Sequence, residues 1–193
     1  MRRLCVFCGS SCGSDPRYRD GATELGRLLA ARGVGLVFGG GSIGLMGVVA
    51  DAALVAGGDV VGVIPHALAA RELAHREVAD MRVVPSMHAR KALMAELSDG
   101  FIALPGGLGT FEELFEIATW GQLGIHRKPV GVLNVAGYYD PLVALVDQAV
   151  SEGFVSAENR QSILVAETPL ALLEGLFAHR PSEGPEWITP DET

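Results

Sequence analysis

Three glycine-bearing segments could hold an anion, and a few charged residues beside them could act on what is held. The segments are Cys8-Gly9-Ser10-Ser11, Gly39-Gly40-Gly41-Ser42-Ile43-Gly44-Leu45-Met46-Gly47 and Pro105-Gly106-Gly107-Leu108-Gly109-Thr110. Backbone without Cβ atoms lets amides approach an anion closely. A following helix adds unpaired N–H groups and the positive end of its dipole. Any tight turn also needs glycine, so one such loop decides nothing. Three at one sheet edge favour a phosphate-bearing ligand, with Ser10, Gly41, Gly44, Gly106, Gly107, Leu108, Gly109 and Thr110 as candidate contacts.

The type of nucleotide is narrowed by what is missing. Gly39-x-Gly41-x-x-Gly44 matches the dinucleotide fingerprint, which also wants an acid about 20 residues on, at the end of the next strand. Asp59 stands at that strand's beginning instead, and the strand ends in Ile64-Pro65-His66. NAD is disfavoured. No Gly-x-x-x-x-Gly-Lys-Ser/Thr occurs, which disfavours a P-loop ATPase. A single phosphate on a mononucleotide or sugar suits the loops better.

The charged candidates are Arg90 and Glu113. On a helix after the Ser86 N-cap, Met87, Arg90, Met94 and Leu97 share one stripe. An arginine among core residues needs an anionic partner; otherwise it snorkels from the stripe's edge. Beside it, Lys91 is one of two lysines in the chain, with Lys128. Thr110-x-x-Glu113 reads as a capping box, a complete structural explanation for Glu113. Yet Glu113 shares a stripe with Ile117 and Trp120, so it faces protein or a cleft, while Glu112 lies toward Glu116 and Thr119. A carboxylate beside a phosphate loop can orient a ribose hydroxyl, activate water or stabilise a cationic sugar. His88 and His126 read as structural, and the five histidines show no zinc-like grouping.

Alternating elements must position these groups. Apolar runs at 4–8, 35–38, 60–64, 82–84, 101–104, 130–135 and 163–165 read as strands, mostly continuous, as parallel strands covered on both faces are. Between them lie helices at 16–32, 44–56, 87–97, 111–123, 141–152 and 169–179. Asp15-Pro16, Asp140-Pro141 and Thr168-Pro169 supply cap-then-proline starts, and Gly33 closes the first helix. Residues 65–80 read as a short helix plus loop. The expected fold is α/β, a Rossmann-like doubly wound parallel sheet with helices on both faces. Residues 1–180 form one nucleotide-binding catalytic domain, and 181–193, rich in Pro, Glu and Thr, a flexible C-terminal tail.

Composition bounds the partners. The 193 residues are 49% hydrophobic and 20% charged, with 25 glycines and a net charge of −8. That balance is globular, and its sign argues against nucleic acid and anionic membrane surfaces. No apolar run approaches a membrane span or a secretory signal, so the chain reads as cytoplasmic. Cys5, Cys8 and Cys12 make no disulfide framework. Cys5-x-x-Cys8 lies on a strand whose alternation points the two thiols opposite ways, which disfavours a metal.

These motifs resemble those of a known family. Pro105-Gly106-Gly107-x-Gly109-Thr110-x-x-Glu113, preceded by Met87-His88-x-Arg90-Lys91, is similar to the paired signature of the LONELY GUY (LOG) proteins. These are cytokinin riboside 5′-monophosphate phosphoribohydrolases, long mislabelled lysine decarboxylases. Phe7-Cys8-Gly9-Ser10, the Gly39–Gly47 segment and Thr119-Trp120-x-Gln122-Leu123-Gly124 extend the resemblance along nearly the whole chain except the tail. It implies a homodimer hydrolysing the N-glycosidic bond of a purine nucleoside 5′-monophosphate to free base and ribose 5-phosphate, without a cofactor. It implies Arg90 and Glu113 as catalytic, with Glu72, Lys91, Gly107 through Glu112, and Thr119 as substrate contacts. Where plant members often carry tyrosine, this chain has Leu108. The alternative is a non-catalytic nucleotide carrier of the same fold, which would not need Arg90 with Glu113. A pyridoxal-phosphate decarboxylase would need a Schiff-base lysine, and only Lys91 and Lys128 are available.

Overall fold

A strand covered by helices on both faces has no solvent side to mark with polar residues, and seven such apolar runs pair here into one sheet. The computed structural model describes residues 1–69 and 73–180. In chain order these are β1 (Arg3–Phe7), α1 (Pro16–Ala31), β2 (Gly35–Phe38), α2 (Gly44–Val55), β3 (Val60–Pro65), α3 (His66–Ala69), β4 (Asp80–Val84) and α4 (Met87–Glu96). Then come β5 (Phe101–Ala103), α5 (Leu108–Leu123), β6 (Val130–Leu133), a 3₁₀ turn (Val135–Gly137), α6 (Asp140–Ser151), α7 (Ala157–Gln161), β7 (Ile163–Ala166) and α8 (Pro169–Ala178). The order across the sheet is β4-β3-β2-β1-β5-β6-β7, with every neighbouring pair parallel. The chain winds outward from β1 to β4, then starts again on the other side of β1 with β5. The winding reverses between β1 and β5, the topological switch point where such sheets bind ligands. The expected fold class is therefore observed.

Side-chain alternation divides the core in two. Leu4, Val6 and Cys8 join Leu25, Leu29, Val49 and Leu172 under α1, α2 and α8. Cys5 and Phe7 join Val37, Met94, Leu114 and Ile117 under α4 and α5. The two thiols thus lie in different layers, and burial raises the pKa of each.

Three local expectations need correction. Helix α5 begins at Leu108, not 111, because Gly107 is already its extended N-cap (φ −98°, ψ −156°). Thr110 is consequently the third helical residue, buried against Gly106, and no side chain caps this helix, so the capping box does not form. Asp140 lies within α6 rather than capping it, and instead accepts a 2.7 Å hydrogen bond from Asn134 Nδ2. The five-residue helix α7 was not expected. By contrast Asp15, Ser86 and Thr168 cap their helices through side-chain oxygens as anticipated, and within 65–80 the short helix α3 occupies His66–Ala69. Glu72 and the tail at 181–193 lie outside the described residues.

Candidate active site

The three glycine loops leave the carboxyl ends of β1, β2 and β5, the strands at and beside the switch point. They are stitched to one another through backbone. Gly9 N–H donates to Pro105 O at 3.0 Å, and Leu45 N–H donates to Gly9 O at 3.0 Å. Gly44 sits so close to Ser10 that a Cβ there would lie 2.2 Å from the Ser10 carbonyl carbon. Ser10 and Gly44 therefore join two loops, and the Leu45 amide in the first turn of α2 is already used. The start of α5 differs: Gly107 and Gly109 are exposed, Leu108 is 85% exposed, and no side chain caps the helix. Its first-turn amides are thus available to an anion. Gly41 pairs as an isolated bridge with Ala74, and Ser42 N–H donates to Leu73 O at 2.9 Å, which straps the second loop down.

Arg90 and Glu113 arrive from different helices and meet beside these loops. Both are buried, at 8% and 7% exposure, with Arg90 Nη1 3.4 Å from Glu113 Oε1. Arg90 Nε donates to Val63 O at 3.2 Å, and Nη1 reaches Met87 Sδ at 3.8 Å. The guanidinium occupies the space where any side chain on residue 39 would begin, since a Cβ on Gly39 would lie 1.8 Å from Arg90 Nη2. Arg90 is therefore not snorkelling; it is locked in a slot that glycine leaves open. Burial drives the Glu113 pKa up to about 7, with Arg90 opposing the rise. A carboxylate that changes charge near neutrality can exchange protons at the working pH.

Lys91 points to the neighbouring carboxylates. Its Nζ binds Glu112 Oε1 and also Glu116 Oε1, the latter at 2.9 Å, linking α4 to α5. Burial alone would lower the Lys91 pKa, but these hydrogen bonds outweigh it and hold the ammonium charged. Thr119 is exposed further along α5. His126 lies away from these groups, its ring nitrogens engaged with Ile117 O and the Lys128 amide. Lys128 donates to Ala95 O at 2.8 Å. Neither lysine suits a Schiff base, one being clamped as a cation and the other bound to a backbone carbonyl. Gly39 and Val63 were missed in the sequence reading because their role appears only once α4 lies across β2 and β3. Tyr138 and Tyr139 were missed as well, although adjacent tyrosines in a chain with 6% aromatics are a visible signal. Their hydroxyls donate to Gly106 O and Leu104 O.

Comparisons with known proteins identify the family and the fold. A family model described as "Possible lysine decarboxylase" matches residues 46–176. "Cytokinin riboside 5'-monophosphate phosphoribohydrolase LOG" of Oryza sativa subsp. japonica is 53% identical over 181 residues, spanning 94% of this chain and 75% of that protein. "Cytokinin riboside 5'-monophosphate phosphoribohydrolase LOG3" of Arabidopsis thaliana is also 53% identical over 181 residues, spanning 94% and 84%. Among solved structures, a molybdenum cofactor binding protein from Rippkaea orientalis shares the fold at TM-score 0.69 and 23% identity, covering 92% of this chain and 99% of that one. A structural-genomics target shares it at TM-score 0.72 and 22% identity, covering 93% and 100%. With relatives more than half identical along nearly its whole length and the paired signatures meeting at one sheet edge, this chain belongs to the LOG family of cytokinin riboside 5'-monophosphate phosphoribohydrolases.

Proposed function

We propose that the protein hydrolyses the N-glycosidic bond of purine nucleoside 5′-monophosphates, AMP or its prenylated cytokinin counterpart, releasing free base and ribose 5-phosphate. The observation that carries this reading is the buried Arg90–Glu113 pair beside the uncapped start of α5. The 5′-phosphate binds the amides of Gly107 through Thr110. Glu113 lies five residues into the helix, about 7.5 Å along its axis, the scale of a ribose phosphate. As the base departs, positive charge grows on the ribose. The Glu113 carboxylate stabilises that charge and orients the attacking water, whose oxygen bonds to the anomeric carbon as the bond to the base nitrogen breaks; the proton the water loses ends on the departing base. Arg90 holds the carboxylate in place and favours its ionised form. Lys91 orients Glu112 at the phosphate end, and Glu72 and Thr119 serve as further substrate contacts.

The working form we propose is a cytoplasmic homodimer, residues 1–180 acting as one catalytic unit. Support for pairing comes from Met87 and Phe115, exposed apolar side chains on α4 and α5. A carrier would gain nothing from a carboxylate buried against an arginine and titrating near pH 7. Release of free base from AMP, isopentenyladenosine monophosphate and adenosine tests the reading. At least one of the nucleotides should be cleaved, and adenosine far more slowly; release of base from neither nucleotide overturns it.

A further inference from the structure

The uncapped loop before α5 needs something to hold it, because two successive glycines leave the Gly106–Gly107 peptide free to rotate. Its carbonyl accepts a hydrogen bond from the Tyr138 hydroxyl. In a trans peptide the N–H points opposite to the carbonyl, so this bond turns the Gly107 amide away from Tyr138. Gly107 is exposed, with nothing within 4 Å of where a Cβ would stand. The amide therefore opens on the start of α5.

Tyr138 is itself held with unusual firmness. It follows a 3₁₀ turn in which Ala136 adopts the left-handed region (φ 55°, ψ 26°), strain for a residue other than glycine. Asn134 closes that turn, its Oδ1 accepting from Tyr139 N–H at 2.7 Å and its Nδ2 donating to Asp140. The Tyr138 ring packs against Phe111 of α5 (centroids 6.4 Å apart), against Tyr18 of α1 (5.5 Å) and against Tyr139 (5.1 Å). One side chain thus fixes both the loop and the helix it introduces.

We propose that Tyr138 is a positioning residue for phosphate: its hydroxyl holds the Gly106 carbonyl inward and so presents the Gly107 amide to the substrate's 5′-phosphate. The inference rests on the reading of the α5 start as the phosphate site. Without the hydroxyl the peptide can flip and place a carbonyl, which repels an anion, where the donor should be. Tyr139 supplies the control. Its hydroxyl donates to Leu104 O at 2.6 Å, but the next residue is Pro105, whose nitrogen has no hydrogen to aim.

The test is Tyr138→Phe beside Tyr139→Phe, with AMP, adenosine and inorganic phosphate as probes. In Tyr138→Phe the preference for AMP over adenosine in kcat/KM falls about tenfold, the worth of one hydrogen bond, and the Kd for phosphate rises by the same factor. The loss falls on AMP rather than on adenosine. Tyr139→Phe lowers the melting temperature and keeps the preference. A Tyr138→Phe enzyme with the full preference overturns the proposal. A wild-type enzyme that makes no distinction between AMP and adenosine overturns the phosphate site, and the proposal with it. Amide NMR of the wild type gives an answer independent of any variant: added phosphate shifts the Gly107 resonance. Shifts confined to other loop amides would overturn the role of Tyr138 while leaving the phosphate site standing.

Discussion

Two groups of charged side chains sit at the carboxyl edge of the same sheet, one buried and one exposed. At the switch point, backbone amides and the buried Arg90–Glu113 pair converge behind loops stitched together by main-chain hydrogen bonds. Past the ends of β6 and β7 lies a wide cleft of about 640 Å³, lined by Asp20, Glu24, Asp140 and Glu167 together with Arg17. Its charged groups are exposed, and Arg17 is already paired with Asp15 at 2.6 Å. Exposed side chains stay in contact with bulk water, which screens one from another, so volume there brings no chemistry with it. Burial is what sets the switch-point pair apart. It raises Glu113 toward neutrality and gives the ion pair a strength that solvent would screen away.

The largest effect expected from this contrast is on turnover. Glu113→Gln should cost ~10²–10⁴-fold in rate with the fold intact; near-normal hydrolysis of AMP by that variant would place the reactive group elsewhere. Next come changes that move the guanidinium without removing the carboxylate. Gly39→Ala puts a methyl group into the Arg90 slot, and Arg90→Lys keeps the charge but loses the planar fork. Each should lower kcat/KM about 10²-fold, the scale of a misplacement near 1 Å. Retention of most activity by Arg90→Lys would mean that charge alone suffices.

The pH dependence sharpens the contrast further. If the ionised Glu113 acts, kcat/KM rises with pH through about 7, and the residual activity of Glu113→Gln lacks that limb. A wild-type rate that instead falls above pH 7 would make Glu113 the proton donor. Stability should move the opposite way. Glu113 holds its proton up to about pH 7 in the fold, against 4.5 as a free side chain. Its contribution is thus full below pH 4.5 and lost as pH rises through 7. The span is worth about 3 kcal/mol. Melts should therefore show Glu113→Gln matching the wild type at pH 4.5 and exceeding it at pH 8.5. The smallest effect belongs to the acidic cleft. Glu167→Gln should stay within about 0.5 kcal/mol of the wild type in stability and leave turnover unchanged. Lost activity in that variant would erase the distinction between the buried pair and the exposed cleft.

How much of this was legible in the sequence follows from where the determining forces act. Continuous apolar strands such as Val60–Pro65 announce themselves because burial on both faces leaves no polar alternation. Asp15, Ser86 and Thr168 were readable as caps because each acts within three residues of itself. Thr110 misled for the same reason: its spacing to Glu113 satisfies a local rule, but the Gly106–Gly107 turn starts the helix early and packs Thr110 inward. Arg90 and Glu113 were each visible as charges on an apolar stripe. Their pairing was not, since it depends on α4 and α5 packing side by side against the sheet. Lys91 stands out in sequence only as one of two lysines and a candidate substrate contact; its ammonium is shared by Glu112 and Glu116. Helix α7 is too short for a periodic pattern to declare it.

The exposure of Leu108 has a consequence for how such a protein can diversify. Main-chain amides are the same whatever side chains they carry, so an anion held by backbone places little demand on the identity of the residue between Gly107 and Gly109. Leu108 projects from the first position of α5 with most of its surface free. A replacement there can reshape whatever lies over the loop while the amides beneath it stay in register. With the phosphate held as proposed, substrate preference and phosphate grip are mechanically separate, and the first can drift across generations of sequence without eroding the second.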